Sequence, residues 1–152
     1  MTNTPPVDGG GKPTCRVLSA GQQFIGKNGY MYAPGVSAQS VGALGISLQI
    51  AAIPAGAWSK HKHAGHETAI YVLSGEAGMW YGDELEDHLV ARAGDFIYVP
   101  ADVPHLPYNL SDAEYCVAIV ARTDPNERES LVLLPEFETA DEPLATPALS
   151  PQ

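Results

Sequence analysis

The chain has 152 residues, enough for one domain with a core of its own and too few for two. Its 18 acidic against 8 basic residues give a formal charge of −10, which repels phosphate backbones and anionic lipid and excludes nucleic acid as an expected partner. No stretch reads as membrane-spanning, since the most apolar one, Leu44 to Trp58, is short and interrupted by Ser47, Gln49 and Pro54.

In chain order, residues 1–13 are rich in proline and glycine, carry no periodicity and are expected to form a mobile tail. The opening has neither a basic start nor an apolar core of the kind that directs secretion, so a soluble cytoplasmic protein is expected. Residues 14–134 form the expected folded body, and 135–152, acidic and punctuated by prolines, read as a tail or as a strap over a neighbour. Cys15 and Cys116 lie far apart and outside any Cys-x-x-Cys, which excludes a disulfide framework or a thiolate zinc knuckle.

Within the body nearly every signal is for strands. Ile46, Leu48 and Ile50 alternate with Ser47, Gln49 and Ala51, and the runs 69–73, 96–99 and 115–120 are rich in β-branched or aromatic residues. Turn chemistry recurs at Gly42, Gly56, Gly75, Gly82, Gly94, Asp102 and Asn109, so about ten short strands are expected, in an antiparallel barrel or sandwich. Asp102 falls where a tight turn favours positive φ, which Asp tolerates.

Two stretches carry candidate chemistry. In the first, His61, His63, His66 and Glu67 fall within seven residues, and alternation along a strand points His61 and His63 the same way. In the second, His105 opens a strand after a turn with two prolines, where an antiparallel barrel can aim it at a site built on another strand. Imidazole serves zinc, copper, iron and nickel alike, so a transition-metal site is expected. His88 has no partner signal and reads as a surface residue, and Asn109 as a turn-holding one. Strict alternation points Trp58 away from the metal, sets Tyr71 on the face of Glu67, and puts Met79 and Tyr81 together on the following strand.

Gly56, His61, His63, Glu67 and Gly75 resemble the first sequence motif of the cupins, and Gly94, Pro100, His105 and Asn109 the second. The departures are four residues between Gly56 and His61, seven between Glu67 and Gly75, and Asp102 in place of a glycine. The extra residue before Gly75 is either a β-bulge or a sign that Glu67 faces differently and His66 takes its place. The resemblance implies an all-β fold, the antiparallel double-stranded β-helix or jelly-roll barrel. It also implies one divalent metal (iron, manganese, nickel, zinc or copper) on His61, His63, Glu67 and His105, with His66 as the alternative third ligand.

The expected function is a metalloenzyme, dioxygenase- or isomerase-like, acting on a small oxygenated or aromatic molecule, with Glu67 as the catalytic candidate for proton transfer. The alternative is a binding or sensor module using the same pocket without turnover. A homodimer is the expected assembly.

Overall fold

The computed structural model describes residues 4–128 and 131–134; the segment 135–152 lies outside the described residues. Among the described residues there are eleven strands and one helical turn. They are β1 (Phe24–Ile25), β2 (Met31–Val36), α1 (Ala38–Val41), β3 (Ser47–Ile53), β4 (His61–His63), β5 (Thr68–Ser74), β6 (Glu76–Tyr81), β7 (Asp87–Arg92), β8 (Phe96–Val99), β9 (His105–Asn109), β10 (Cys116–Arg122) and β11 (Leu131–Leu133). The strands build two antiparallel sheets, one in the order β1-β2-β3-β10-β5-β8 and the other β11-β4-β9-β6-β7. The chain changes sheet repeatedly, which makes the fold a jelly-roll barrel.

β10 is the spine of the larger sheet, paired along its whole length with β3 and along most of it with β5. Its inward residues are Cys116, Ala118, Val120 and Arg122, all buried, so the interior runs from apolar at one end to polar at the other. At the apolar end Cys116 packs with Val72, Ala77 and Ala91. At the polar end Arg122 lies in register between Ser47 on β3 and Thr68 on β5.

The alternation read along β3 is real, but its polar side faces in. Ser47 and Gln49 are buried while Leu48 and Ile50 are about 40% exposed. The usual matching of apolar face to interior is thus inverted here, because this end of the barrel encloses a polar site.

Cross-sheet ties hold the two layers. The buried Tyr30 hydroxyl donates to the Pro107 carbonyl at 2.7 Å, joining the loop before β2 to β9. Asn109 donates to the carbonyls of Ile53 (3.0 Å) and Glu114 (2.6 Å) and accepts from the Ser111 N–H (2.9 Å), so it holds the turn after β9 as its position suggests. Residues 6–13, within the segment expected as a mobile tail, form with Thr14 a closed local turn. The Asp8 carboxylate accepts the N–H groups of Gly10 and Lys12, both at 2.9 Å, and the Thr14 N–H reaches the Pro6 carbonyl at 3.0 Å.

Removing the Asn109 amide leaves two carbonyls and one N–H without their partner in a partly buried turn. Asn109→Ala is expected to cost about 2 kcal/mol of unfolding free energy, read as a lower urea midpoint. A midpoint within error of the parent would contradict this role.

Candidate metal centre

His61 and His105 are direct partners across the β4–β9 pair, and His63 lies two residues along β4 on the same face. The period of two turns all three imidazoles into the barrel, where each residue is 3–4% exposed. Each offers a ring nitrogen within 4.8 Å of those of the other two. The ring centroids are 4.4 Å (His61–His105), 5.1 Å (His61–His63) and 5.3 Å (His63–His105) apart.

The turn before β9 brings the two stretches together. Asp102 adopts φ 64°, the left-handed conformation expected of it, and its N–H donates to the His63 carbonyl at 3.0 Å. Its carboxylate also receives the Gly65 N–H at 3.4 Å, so the loop after β4 is fastened to the turn that delivers His105.

Backbone acceptors fix the tautomer of His105. A carbonyl only accepts, so the Nδ1 of His105, 2.8 Å from the Val103 carbonyl, must carry the proton, which makes Nε2 the acceptor nitrogen of the neutral ring. His66 is arranged in the same way, with Nδ1 3.2 Å from the Ala64 carbonyl. Nδ1 of His61 lies 3.3 Å from the Ser59 hydroxyl.

His61 is held well below the ordinary imidazole pKa of 6.5, first by burial, then by the charges of His105, His63 and Arg122. It is therefore neutral at neutral pH, the state that binds metal.

The carboxylate expected in the set is not brought to it. Thr68 faces inward, paired with Arg122 and 3% exposed, so its neighbour Glu67 must face outward. Glu67 is exposed and accepts a hydrogen bond from the Tyr98 hydroxyl at 2.6 Å, while its N–H donates to Thr123 Oγ1 at 2.9 Å.

The extra residue before Gly75 is indeed a bulge. The β5–β10 register jumps from Ser74↔Val117 to Val72↔Ala118, passing over Leu73. That bulge sits at the far end of β5 and leaves Glu67 unturned. Thr68 is the residue that leaves six residues before Gly75, which is the signal that would have found the inward position.

His66, the alternative third ligand, is 5% exposed and its ring lies 5.1 Å from that of His63. It stands outside the close group of three, with Nδ1 3.7 Å from the Asp124 carboxylate. Sequence reasoning did not find Arg122, Gln49, Ser47 or Thr68, the buried polar residues at this end of the barrel. The β3 alternation gave a sign of Ser47 and Gln49 and the spacing to Gly75 one of Thr68, whereas Arg122 had none.

Trp58 packs with the cluster of Leu85, Leu106 and Tyr108, and Tyr71 packs at a 45° tilt against Phe96 on the outer side of the larger sheet. Met79 and Tyr81 stand opposite Pro107 and His105 on the inner side of theirs. His88, read as a surface residue, is half-buried, with Nε2 2.7 Å from the Tyr108 hydroxyl.

Residues 49–121 match the family profile described as the cupin domain. No curated protein matches the chain in sequence. Among solved structures, it superposes on a Lactobacillus farciminis oxalate decarboxylase in complex with formate, with a TM-score of 0.62 at 19% identity over 76% of this chain and 34% of that one. A Bacillus subtilis oxalate decarboxylase variant gives 0.64 at 22% identity over 76% and 31%. The cupin domain of Schizosaccharomyces pombe Cnp3 gives 0.53 at 11% identity over 62% and 64%. The chain thus spans about a third of the length of the decarboxylases, and the likeness is one of fold. With jelly-roll topology and family match together, the chain belongs to the cupins.

A pH dependence follows from His61. In the unfolded chain it takes up a proton near pH 6.5, whereas in the folded chain burial keeps its pKa well below. Between those two values the unfolded state binds more protons, so the stability of chelator-treated protein falls as pH drops. The slope is about 1.4 kcal/mol per pH unit for one such histidine. Urea midpoints at pH 7.5, 6.5 and 5.5 should show this fall, and it should be shallower in His61→Gln. Parallel curves for the two proteins would contradict it.

Proposed function

We propose that the protein is a metal-dependent enzyme that acts on a small molecule inside the barrel, with one divalent metal on His61, His63 and His105. The observation that carries this reading is the convergence of three buried ring nitrogens within 4.8 Å of one another. The donor set fits a transition metal, because three imidazoles suit zinc, copper, iron or nickel better than manganese, which favours oxygen ligands. When bound, such a metal supplies a Lewis acid with open positions for water or a ligand oxygen.

The chain's own residues do the rest. The Val103 carbonyl orients His105, and burial keeps His61 unprotonated. Glu67 is not assigned a role in proton transfer, since its carboxylate is exposed and engaged with Tyr98. Among the described residues no carboxylate belongs to the three-histidine group, and this favours a second reading, a binding module that holds its ligand without turnover. No helix among the described residues is long and apolar enough to cross a membrane.

A homodimer through the outer face of the larger sheet belongs to the same proposal. Register aligns two outward rows, Ile50–Ile119–Tyr71–Phe96 and Leu48–Ala121–Ala69–Tyr98, with no charged residue in either. Phe96 is 80% and Tyr98 60% exposed, an apolar surface that a second copy of the chain could cover, with Glu67, which accepts from the Tyr98 hydroxyl, at its edge. Sedimentation should give a dimer at micromolar concentration, and Phe96→Asp together with Ile50→Asp a monomer; a monomeric parent would remove the proposal.

The metal reading is tested on untagged protein purified without chelator. About one metal per chain is expected, lost in His105→Ala and retained in Glu67→Gln. Loss of metal from Glu67→Gln, or none in the parent after reconstitution, would overturn it.

A further inference from the structure

The larger sheet ends on β8 and the smaller on β7, and among the described residues each is paired on one side only, β8 with β5 and β7 with β6. Between the two edges lies an open groove of about 300 Å³, lined by residues 89–91 on one side and 95–98 on the other. The far side of β8 shows which of its backbone groups are unpaired. The Val72 N–H donates to the Asp95 carbonyl at 3.0 Å and the Gly94 N–H to the Val72 carbonyl at 2.9 Å, so Val72, and with it Ile70 and Thr68, face β8. Their partners Ile97 and Val99 are the bonded residues, and Phe96 and Tyr98 turn their N–H and C=O groups to the groove. Such a row is a template for one more strand.

A segment with the matching need stands at the opposite edge of the sheet. Residues 15–23, between Thr14 and β1, are all exposed, and among the described residues their backbone makes one hydrogen bond, from the Gly21 N–H to the Pro34 carbonyl at 2.7 Å. Val17 is fully exposed and its neighbour Leu18 is exposed as well. In an extended segment the two point to opposite faces, so this arm is apolar on both, with Arg16 as its charge. The groove of its own chain is out of reach. Gly21 ties the arm to β2, which lies four strand positions from β8, roughly 19 Å along the sheet, whereas the four residues from Gly21 back to Val17 span at most about 14 Å.

We propose that residues 15–20 of one copy add as an edge strand to β8 of a second copy, reciprocally, and fill the groove against β7. A strand added there meets apolar side chains on both faces, Phe96 and Tyr98 on the outer side and Leu89 and Ile97 toward the groove. Charge matches as well, since Arg16 meets a lining that carries Asp95, with Glu67 beside it on the Tyr98 hydroxyl. A two-fold axis along the strands, laying the larger sheets face to face, sets the β1–β2 end of one copy over the β8 end of the other. The inference deepens the homodimer proposal, on which it rests for the presence of the second copy.

Amide hydrogen exchange, followed residue by residue by NMR at a concentration where sedimentation gives the dimer, tests it. The amides of Val17, Leu18, Phe96 and Tyr98 should exchange about a hundredfold or more slower than unstructured ones. Val17→Asp together with Leu18→Asp alters only the exposed arm. These changes should return Phe96 and Tyr98 to the unstructured rate and weaken the dimer by about tenfold or more, the worth of burying such side chains. A parent dimer whose arm amides exchange freely overturns the exchanged arm and spares the outer-face dimer, whereas a monomeric parent removes both. Slow exchange at Phe96 and Tyr98 that survives the arm substitutions also overturns it, and loss of that protection on deleting residues 135–152 would give the groove to that segment instead.

Discussion

Four imidazoles and a guanidinium share one end of this barrel, each residue 3–6% exposed, and the cost of keeping them out of water governs the rest of the structure. Neutral imidazole is far cheaper to bury than imidazolium, so burial and the Arg122 charge together keep His61 deprotonated. The same groups then need fixed neighbours. Carbonyls of Val103 and Ala64 receive the Nδ1 protons of His105 and His66, and the Ser59 hydroxyl lies beside His61. These neighbours orient a group of rings that could hold a metal.

The polar end also explains where the apolar residues go. With Ser47, Gln49, Thr68 and Arg122 turned inward, their neighbours Leu48, Ile50, Ala69 and Ala121 must line the outside of the larger sheet. An apolar outer face therefore follows from a polar interior. The opposite end of the barrel, packed around Val72, Ala77, Ala91 and Cys116, supplies the ordinary hydrophobic core that holds the sheets together. Stability and chemistry are separated along the barrel axis, with β10 running through both.

The departures from the cupin motif acquire a physical meaning in this arrangement. An inserted residue in a strand either flips everything before it or is absorbed as a bulge, and here Glu67 faces outward in spite of the bulge at Leu73. From Thr68 to Val72 the alternation is regular, and Thr68 occupies the inward position where the motif's spacing to Gly75 asks for a carboxylate. Among the described residues the group that could hold a metal is therefore three imidazoles, in a barrel that also buries Arg122.

Much of the fold was legible in the sequence, because β-branched runs, alternation and turn residues are local properties. Strands, turn positions, the positive φ at Asp102 and the shared face of His61 and His63 all follow from neighbours in the chain. The pairing of His61 with His105 was legible only through motif spacing, since 44 residues of chain separate them. Alternation by itself could not assign an inside to β3, and an apolar-inward guess would have been wrong. Nor could it decide between Glu67 and Thr68, because a one-residue insertion shifts facing and only the β5–β10 register shows where the extra residue is taken up. Arg122 carries no local signal at all: it ends an apolar strand as a surface arginine would, and it is part of the buried polar end because the two sheets close over it. The sequence by itself determined which segments are strands and which residues can ligate; the tertiary structure decided which of them face one another, because facing depends on register between strands distant in the chain.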